Sequence, residues 1–355
     1  MSREPDTVIP GEVTAALREV IATVGITQNT DLIARILDTG IGLGMDEADR
    51  LDLKITTAAL GEMRNAFRLF APYQNVSKVT IFGSARTLAD DALYRQAARV
   101  ASVLAAQGWM VVTGAGPGIM QAAAEGAGPE NSLGVSIRLP FEEKPNAIVE
   151  ANARNVAMKY FFTRKLMLVK ESRGFVCVPG GFGTLDEMFE LLTLQQTGKA
   201  EPVPIVLLDE PGGTFWAGLR RFVDEQLVPS GVVGADDFDR VLVTDSVTEA
   251  ADEITGFYRN YDSMRWVGGT LVLRLRAAPA DVELDELNTR FADLLASGRI
   301  ERTEPLRVER ADDDRLDLPR VSLRLDQYRV GSLHHLIRAL NALPSAPADG
   351  WDRVT

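Results

Sequence analysis

Residues 174–190 read Gly-Phe-Val-Cys-Val-Pro-Gly-Gly-Phe-Gly-Thr-Leu-Asp-Glu-Met-Phe-Glu, and no other segment constrains this chain as tightly. An apolar run, Phe175 to Val178, is ended by Pro179. Glycines follow at 180, 181 and 183, and Thr184 opens an amphipathic helix carrying Glu187. A strand, a glycine turn and a helix N-terminus in that order make an anion site. Gly180, Gly181 and Gly183 let backbone N–H groups approach a phosphate, and the helix dipole favours its charge. Glu187 then sets a carboxylate one turn into the helix, close to the bound group. Thr184-Leu-Asp-Glu187 also spells a capping box, in which Glu187 reaches back to the cap N–H. One carboxylate cannot fully serve both ends. Glu190, near Glu187 on the same face, is expected to raise its pKa through like charge.

Around this segment the chain alternates strand and helix patterns. Val79–Phe82, Trp109–Thr113, Leu133–Ile137, Gly174–Val178, Val203–Leu208 and Val241–Thr244 read as strands, with helices between them. Repeated βα units predict an α/β fold, a doubly wound parallel Rossmann-like sheet with right-handed crossovers. Ligands in such sheets sit at the carboxyl ends of the strands, where the glycine turns at 83, 114–118 and 180–183 fall. The pattern divides into an N-terminal helical extension (1–70, beginning with a loose tail over 1–10), the α/β domain (71–262), a small C-terminal β-α-β-β-α module (268–343) and a tail (344–355). Gly40, Gly42 and Gly44 are expected to break the N-terminal helices. Residues 153–171 read as one helix, 139–152 as an irregular lid and 261–267 as a boundary. In the last module, 281–297 reads as a helix and 306–309 as a strand.

Composition removes several chemistries. The chain has 355 residues, 46% hydrophobic and 25% charged, enough for a large core and more than one domain. Its net charge of −12 argues against nucleic acid as a partner, since phosphate backbones need clustered Lys and Arg. No run approaches the ~20 apolar residues of a membrane span. The N-terminal residues show no signal-peptide pattern, so a cytoplasmic protein is expected. Cys177 is the sole cysteine and reads as a small core residue. The only histidines are His334 and His335, near the C-terminus. A Ser-His-Asp triad or histidine-rich metal site in the central region is thereby excluded. Carboxylates, Arg, Lys, Tyr, Ser or Thr must carry the chemistry there.

The basic residues Arg154, Lys159, Arg164, Lys165 and Lys170 gather just before the glycine strand of an otherwise acidic chain. Arg164 flanks the apolar Phe161, Phe162, Leu166 and Leu168, so its planar fork is a candidate to hold a carboxylate or phosphate. Gly114-Ala-Gly-Pro-Gly118 does not fit a dinucleotide fingerprint. Its spacing is G-x-G-x-G, and no acidic residue follows on the next strand. It reads as a tight βα turn or a mononucleotide contact.

Tyr160-Phe-Phe-Thr-Arg164-Lys165 followed by Pro179-Gly-Gly-Phe-Gly-Thr-Leu-Asp-Glu187 resembles the Lonely Guy family. The Phe82-Gly83-Ser84 and Thr113-Gly-Ala-Gly-Pro-Gly-Ile-Met120 turns match it too. The similarity covers about residues 76–260. Members are cytokinin riboside 5′-monophosphate phosphoribohydrolases and related nucleotide nucleosidases, often labelled lysine decarboxylases, a label this sequence does not support. The resemblance implies hydrolysis of the N-glycosidic bond of a nucleoside 5′-monophosphate, with a purine or N6-modified adenine as base. Glu187 would face the anomeric carbon, and Arg164 would orient it and the sugar phosphate, with no metal or organic cofactor needed. Gly180, Gly181, Gly183 and Thr184 would bind the phosphate, and Ser84, Gly116, Met158 and Lys165 would line the nucleotide pocket. The family forms dimers with the site near the subunit boundary, so a homodimer or higher homo-oligomer is implied. The alternatives are a non-catalytic nucleotide- or cofactor-binding protein on the same fold and a pyridoxal-phosphate decarboxylase.

Overall fold

The computed structural model describes residues 9–139, 146–151, 154–234 and 237–348. The chain divides into two compact units, Met1–Asn65 and Ala66–Thr355. The first contains α1 (Gly11–Thr23), α2 (Thr30–Met45) and most of α3 (Arg50–Phe70). α2 runs straight through Gly40, Gly42 and Gly44, contrary to the expected break. Each glycine costs a helix interior roughly 1 kcal/mol against alanine, which weakens a helix without ending it.

The second unit opens on a βα succession. β1 (Lys78–Phe82), α4 (Ala92–Ala106), β2 (Met110–Thr113), α5 (Ile119–Ala127) and β3 (Ser132–Ile137) follow one another. Then come α6 (Ala147–Ala151), β4 (Asn155–Met158), α7 (Phe161–Lys170), β5 (Gly174–Cys177) and α8 (Phe182–Gln196). β6 (Ile205–Leu208), α9 (Phe215–Phe222), β7 (Val241–Thr244) and α10 (Val247–Gly256) complete it. The seven strands form a parallel sheet in the order β4-β3-β2-β1-β5-β6-β7. This is the doubly wound α/β sheet expected. β1 and β5 are buried along their whole length, as strands covered by helices on both faces must be. The chain reverses its direction of winding between β1 and β5, which opens a crevice at their carboxyl ends.

The sequence pattern missed β4. Residues 153–171 are not one helix: Asn155–Met158 pairs with β3, Gly134 opposite Asn155 and Ile137 opposite Met158, and α7 begins only at Phe161. Four residues are too short to show a strand period, and their partner lies some twenty residues away. Of the expected lid over 139–152, residues 140–145 and 152 lie outside the described residues. Asn146 packs beneath the β2–α5 turn, its N–H donating to Ala115 O at 2.8 Å.

A second sheet follows, built from β8 (Tyr261–Val267), β9 (Thr270–Leu275), β10 (Leu295–Arg302) and β11 (Arg320–Leu325). α11 (Asp281–Arg290), α12 (Arg307–Ala311) and α13 (Leu333–Asn341) accompany it. Its antiparallel order is β10-β11-β9-β8. Residues 261–267 are thus its edge strand and not a spacer. Of the helix expected over 281–297, α11 takes 281–290, and the last three residues are the start of β10. The strand expected over 306–309 is helix, because Glu309 turns back to accept from Leu306 N–H at 3.0 Å.

Both sheets contribute to one apolar core, which runs from Val79 and Val176 through Phe257, Tyr258 and Tyr261 to Leu273 and Leu323. Residues 344–348 of the expected tail pack on it: Ala346 is buried and Ser345 N–H donates to Glu283 at 2.9 Å. The rest of that tail, and the first eight residues of the N-terminal one, lie outside the described residues. Among the described residues no helix is long and apolar enough to cross a membrane.

Candidate active site

The crevice is floored by three turns held together through glycines. At the carboxyl end of β1, Ser84 O accepts from Ile119 N–H at 3.0 Å. Gly118, at φ +65°, lies against Ser84 and Ala85 so closely that a Cβ would strike their backbone. A Cβ on Gly180 would strike the Thr184 hydroxyl and come within 3.1 Å of Ser84 N. The Pro179-Gly180-Gly181 turn and the β1 turn are therefore in direct contact. Ser84 Oγ accepts from Arg86 N–H at 3.1 Å.

Gly181 and Gly183 serve a different need. Neither has a neighbour that a Cβ would meet, and both are exposed. Steric fit within the chain does not explain them, whereas an open surface for backbone approach does. α8 starts at Phe182 with Gly181 as its N-cap, and no side chain caps it. Thr184 is therefore the third helical residue and not the cap, so the capping-box reading fails. The Glu187 carboxylate is left free to face inward.

Arg164 meets it there. Its Nε donates to Val135 O at 3.0 Å, and its Nη1 lies 3.5 Å from Glu187 Oε1. Its Nη2 occupies the space that a Cβ on Gly114 would need. Gly114 is a requirement the sequence pattern did not assign. Its glycine neighbours mark a tight turn, but not which side chain lies against it. Both members of the pair are largely buried, with side-chain exposures of 12% and 13%. Burial raises the Glu187 pKa to about 7, opposed by Arg164 and Lys165 and assisted by Asp186 and Glu190. Loss of water, more than the expected repulsion from Glu190, is the main cause. Burial also lowers the Arg164 pKa, opposed by Glu187, and raises that of Cys177, assisted by Glu187.

Lys165 points at the flanks of Glu187. Its Nζ bridges Asp186 at 2.7 Å and Glu190 at 2.6 Å, one residue before Glu187 and three after it. These carboxylates hold its pKa up against the lowering effect of burial. Gly116 faces Met120, whose Cε lies 2.7 Å from where a Cβ would be, and its carbonyl accepts from Asn146 Nδ2 at 3.3 Å. Met158 is fully buried at the end of β4, three strands away from β1. The fold thus gathers Ser84, Gly180, Gly181, Gly183, Thr184, Arg164 and Glu187 about the β1–β5 crevice. Gly116 sits on the neighbouring turn, and Met158 stands at the sheet edge. No cluster of three or more His, Cys, Asp or Glu among the described residues is arranged to hold a metal.

A family profile described as "Possible lysine decarboxylase" matches residues 118–254. The cytokinin riboside 5′-monophosphate phosphoribohydrolase of Mycobacterium tuberculosis is 31% identical over 163 residues, which cover 44% of this chain and 83% of that protein. The chain belongs to the Lonely Guy family. A second member, the enzyme of that name from Mycobacterium marinum, is 29% identical over 160 residues, again 44% of this chain and 83% of its own. Among solved structures, the molybdenum cofactor binding protein of Rippkaea orientalis aligns with 49% of this Lonely Guy chain and 91% of its own, at 19% identity and a TM-score of 0.36.

Proposed function

We propose that this protein hydrolyses the N-glycosidic bond of a nucleoside 5′-monophosphate, releasing the free base and ribose 5-phosphate. The supporting observation is the buried Arg164–Glu187 pair standing directly behind an open glycine turn at a helix N-terminus. In this reading the 5′-phosphate rests on the N–H groups of Gly180, Gly181, Gly183 and Thr184. The C1′–N bond breaks, positive charge builds on the ribose, and the Glu187 carboxylate stabilises it. Glu187 also orients a water and takes its proton. The water oxygen bonds to C1′, the base leaves with the electron pair of the C1′–N bond, and the proton that Glu187 took from water ends on the base. Arg164 orients the carboxylate and helps bind the phosphate. Ser84, Gly116 and Lys165 complete the nucleotide pocket, Lys165 by fixing the helix on either side of Glu187, whereas Met158, fully buried at the end of β4, has no surface to offer it. The relatives' names favour a purine base, N6-modified adenine among them.

The same reading makes the protein a homodimer through α7 and α8. Phe161, Phe162, Leu166 and Phe189 expose apolar surface there, and Phe182 is 93% exposed between two glycines of the phosphate turn. Patches of this kind mark interaction surfaces. Light scattering coupled to size exclusion tests the assembly.

Incubation with AMP, N6-isopentenyl-AMP, GMP and CMP, followed by chromatography for free base, tests the activity. Tight binding of these nucleotides without any release of base would refute hydrolysis and leave a nucleotide carrier. An aldimine absorbance on adding pyridoxal phosphate would favour the decarboxylase label instead.

A further inference from the structure

A cavity of about 480 Å³ lies where the carboxyl ends of α7 and α8 meet β8 of the second sheet. That volume is in the range of small-molecule sites. Val169, Leu194 and Val203 line it, and each is only partly buried, so each keeps apolar surface to offer. The charges around it fall into two kinds. Lys170 pairs with Glu171 at 2.6 Å and Arg315 with Asp262 at 2.6 Å, so these cancel. Arg173 and Glu201 also line the cavity, and neither has an ion-pair partner among the described residues.

Arg173 is held in place with donors to spare. Its Nη2 donates to Asp262 O at 2.7 Å, its Cζ lies 4.1 Å from the centre of the Tyr258 ring, and the Tyr258 hydroxyl donates to Arg173 O at 2.6 Å. Its Nε and Nη1 have no hydrogen-bond partner among the described residues, and neither is among the polar atoms sealed in the core. Glu201 is exposed, and its carboxylate accepts no hydrogen bond among the described residues. The two groups still act on each other. Loss of water raises the Glu201 pKa, opposed by Arg173, Arg274 and Arg315 and assisted by Asp262. One cation and one anion thus border the same space without pairing.

We propose that this cavity is a second ligand site, which takes an α-amino acid with an apolar side chain. The carboxylate accepts from the Arg173 guanidinium, the ammonium group donates to Glu201, and the side chain lies against Val169, Leu194 and Val203. A zwitterion answers both unpaired charges with charge-assisted hydrogen bonds. A simple anion would sit beside Glu201 unpaired, and a simple cation would sit beside Arg173, each a juxtaposition of like charges. α7 carries Arg164 and α8 carries Glu187, so an occupant touches the carboxyl ends of both helices that supply that pair. The proposal does not depend on the hydrolase reading.

Titration calorimetry of the full chain with L-leucine, L-phenylalanine and 4-methylpentanoate, which is leucine without its ammonium group, tests it. Saturable binding of leucine or phenylalanine, tighter than that of 4-methylpentanoate, is expected. Glu201→Gln, at the exposed rim, should weaken the amino acids roughly 10–100-fold, as expected for a lost hydrogen bond between charged groups, and leave 4-methylpentanoate no weaker. Arg173→Gln should weaken all three, and thermal melting verifies that each variant is folded. No binding of either amino acid, amino-acid binding that Glu201→Gln leaves unchanged, or 4-methylpentanoate binding as tightly as leucine overturns the proposal.

Discussion

Arg164 Nη1 stands 3.5 Å from Glu187 Oε1, although the whole of β5 separates the two residues in the chain. The contact exists because α7 and α8 flank the strand that carries the glycine turn. It is too long for a strong hydrogen bond, so the two groups interact mainly through charge across a site largely closed to water.

Glu187→Gln keeps the shape of the side chain and removes its charge. Base release from AMP should fall by roughly 10²–10⁴-fold, the usual range for loss of a positioned acid–base group. Ribose 5-phosphate binding, followed by calorimetry, should stay within a few-fold. Full activity in the folded variant would remove Glu187 from the proposed mechanism.

The raised pKa of Glu187 gives two pH signatures. Its carboxylate is the working form, so kcat/KM should rise with pH and level off above about 7. Stability moves the opposite way. Folding favours the neutral acid, so this contribution is complete below the ordinary carboxylate value of 4.5 and is lost as pH rises through about 7. Glu187→Gln should therefore be stabilising at pH 8, by up to roughly 3 kcal/mol, and near neutral at pH 4. Denaturant melts at the two pH values measure the difference.

Arg164→Ala removes the charge that holds the Glu187 pKa down, so any residual activity should titrate at higher pH than in the parent protein. Arg164→Lys should not restore the parent profile. A lysine has no Nε–H fork to reach Val135 O and Glu187 together.

The glycines of the turn at 180–183 should separate by role. Gly180→Ala forces a Cβ into Thr184 and should lower the melting temperature. Gly183→Ala meets nothing and lies within α8, so the fold should be unharmed or stabilised by up to about 1 kcal/mol. A weakened affinity for ribose 5-phosphate in that variant would report on backbone access alone.

In the C-terminal sheet, Glu309 is fully buried and accepts from Arg274 at 2.8 Å and Arg320 at 2.9 Å. Glu309→Ala takes the shared carboxylate from two buried guanidinium groups, leaving Arg274 with Asp314 at 2.7 Å and Arg320 with the carbonyls of Arg315 and Leu318. A loss of roughly 3–5 kcal/mol is expected in chemical denaturation.

The local pattern around residues 174–190 was enough to place a strand, a glycine turn and an acid-bearing helix, because apolar runs, proline and glycine act over a few residues. Repetition of that pattern gave the parallel sheet. The composition ruled out histidine chemistry in the central region, since both histidines lie elsewhere. Short elements whose partners lie far along the chain were not legible. β4 is held by pairing with β3, β10 by pairing with β11, and α12 by a single carboxylate folding back. The open question about Glu187, cap or free acid, was also beyond the sequence. Thr-x-x-Glu spells a capping box wherever it occurs, and only the packed structure starts α8 at Phe182 and lays Arg164 against Gly114. Spacing dictates which residues share a helix face. Which face is buried, what charge it meets and how far a pKa moves depend on contacts made by residues distant in the chain.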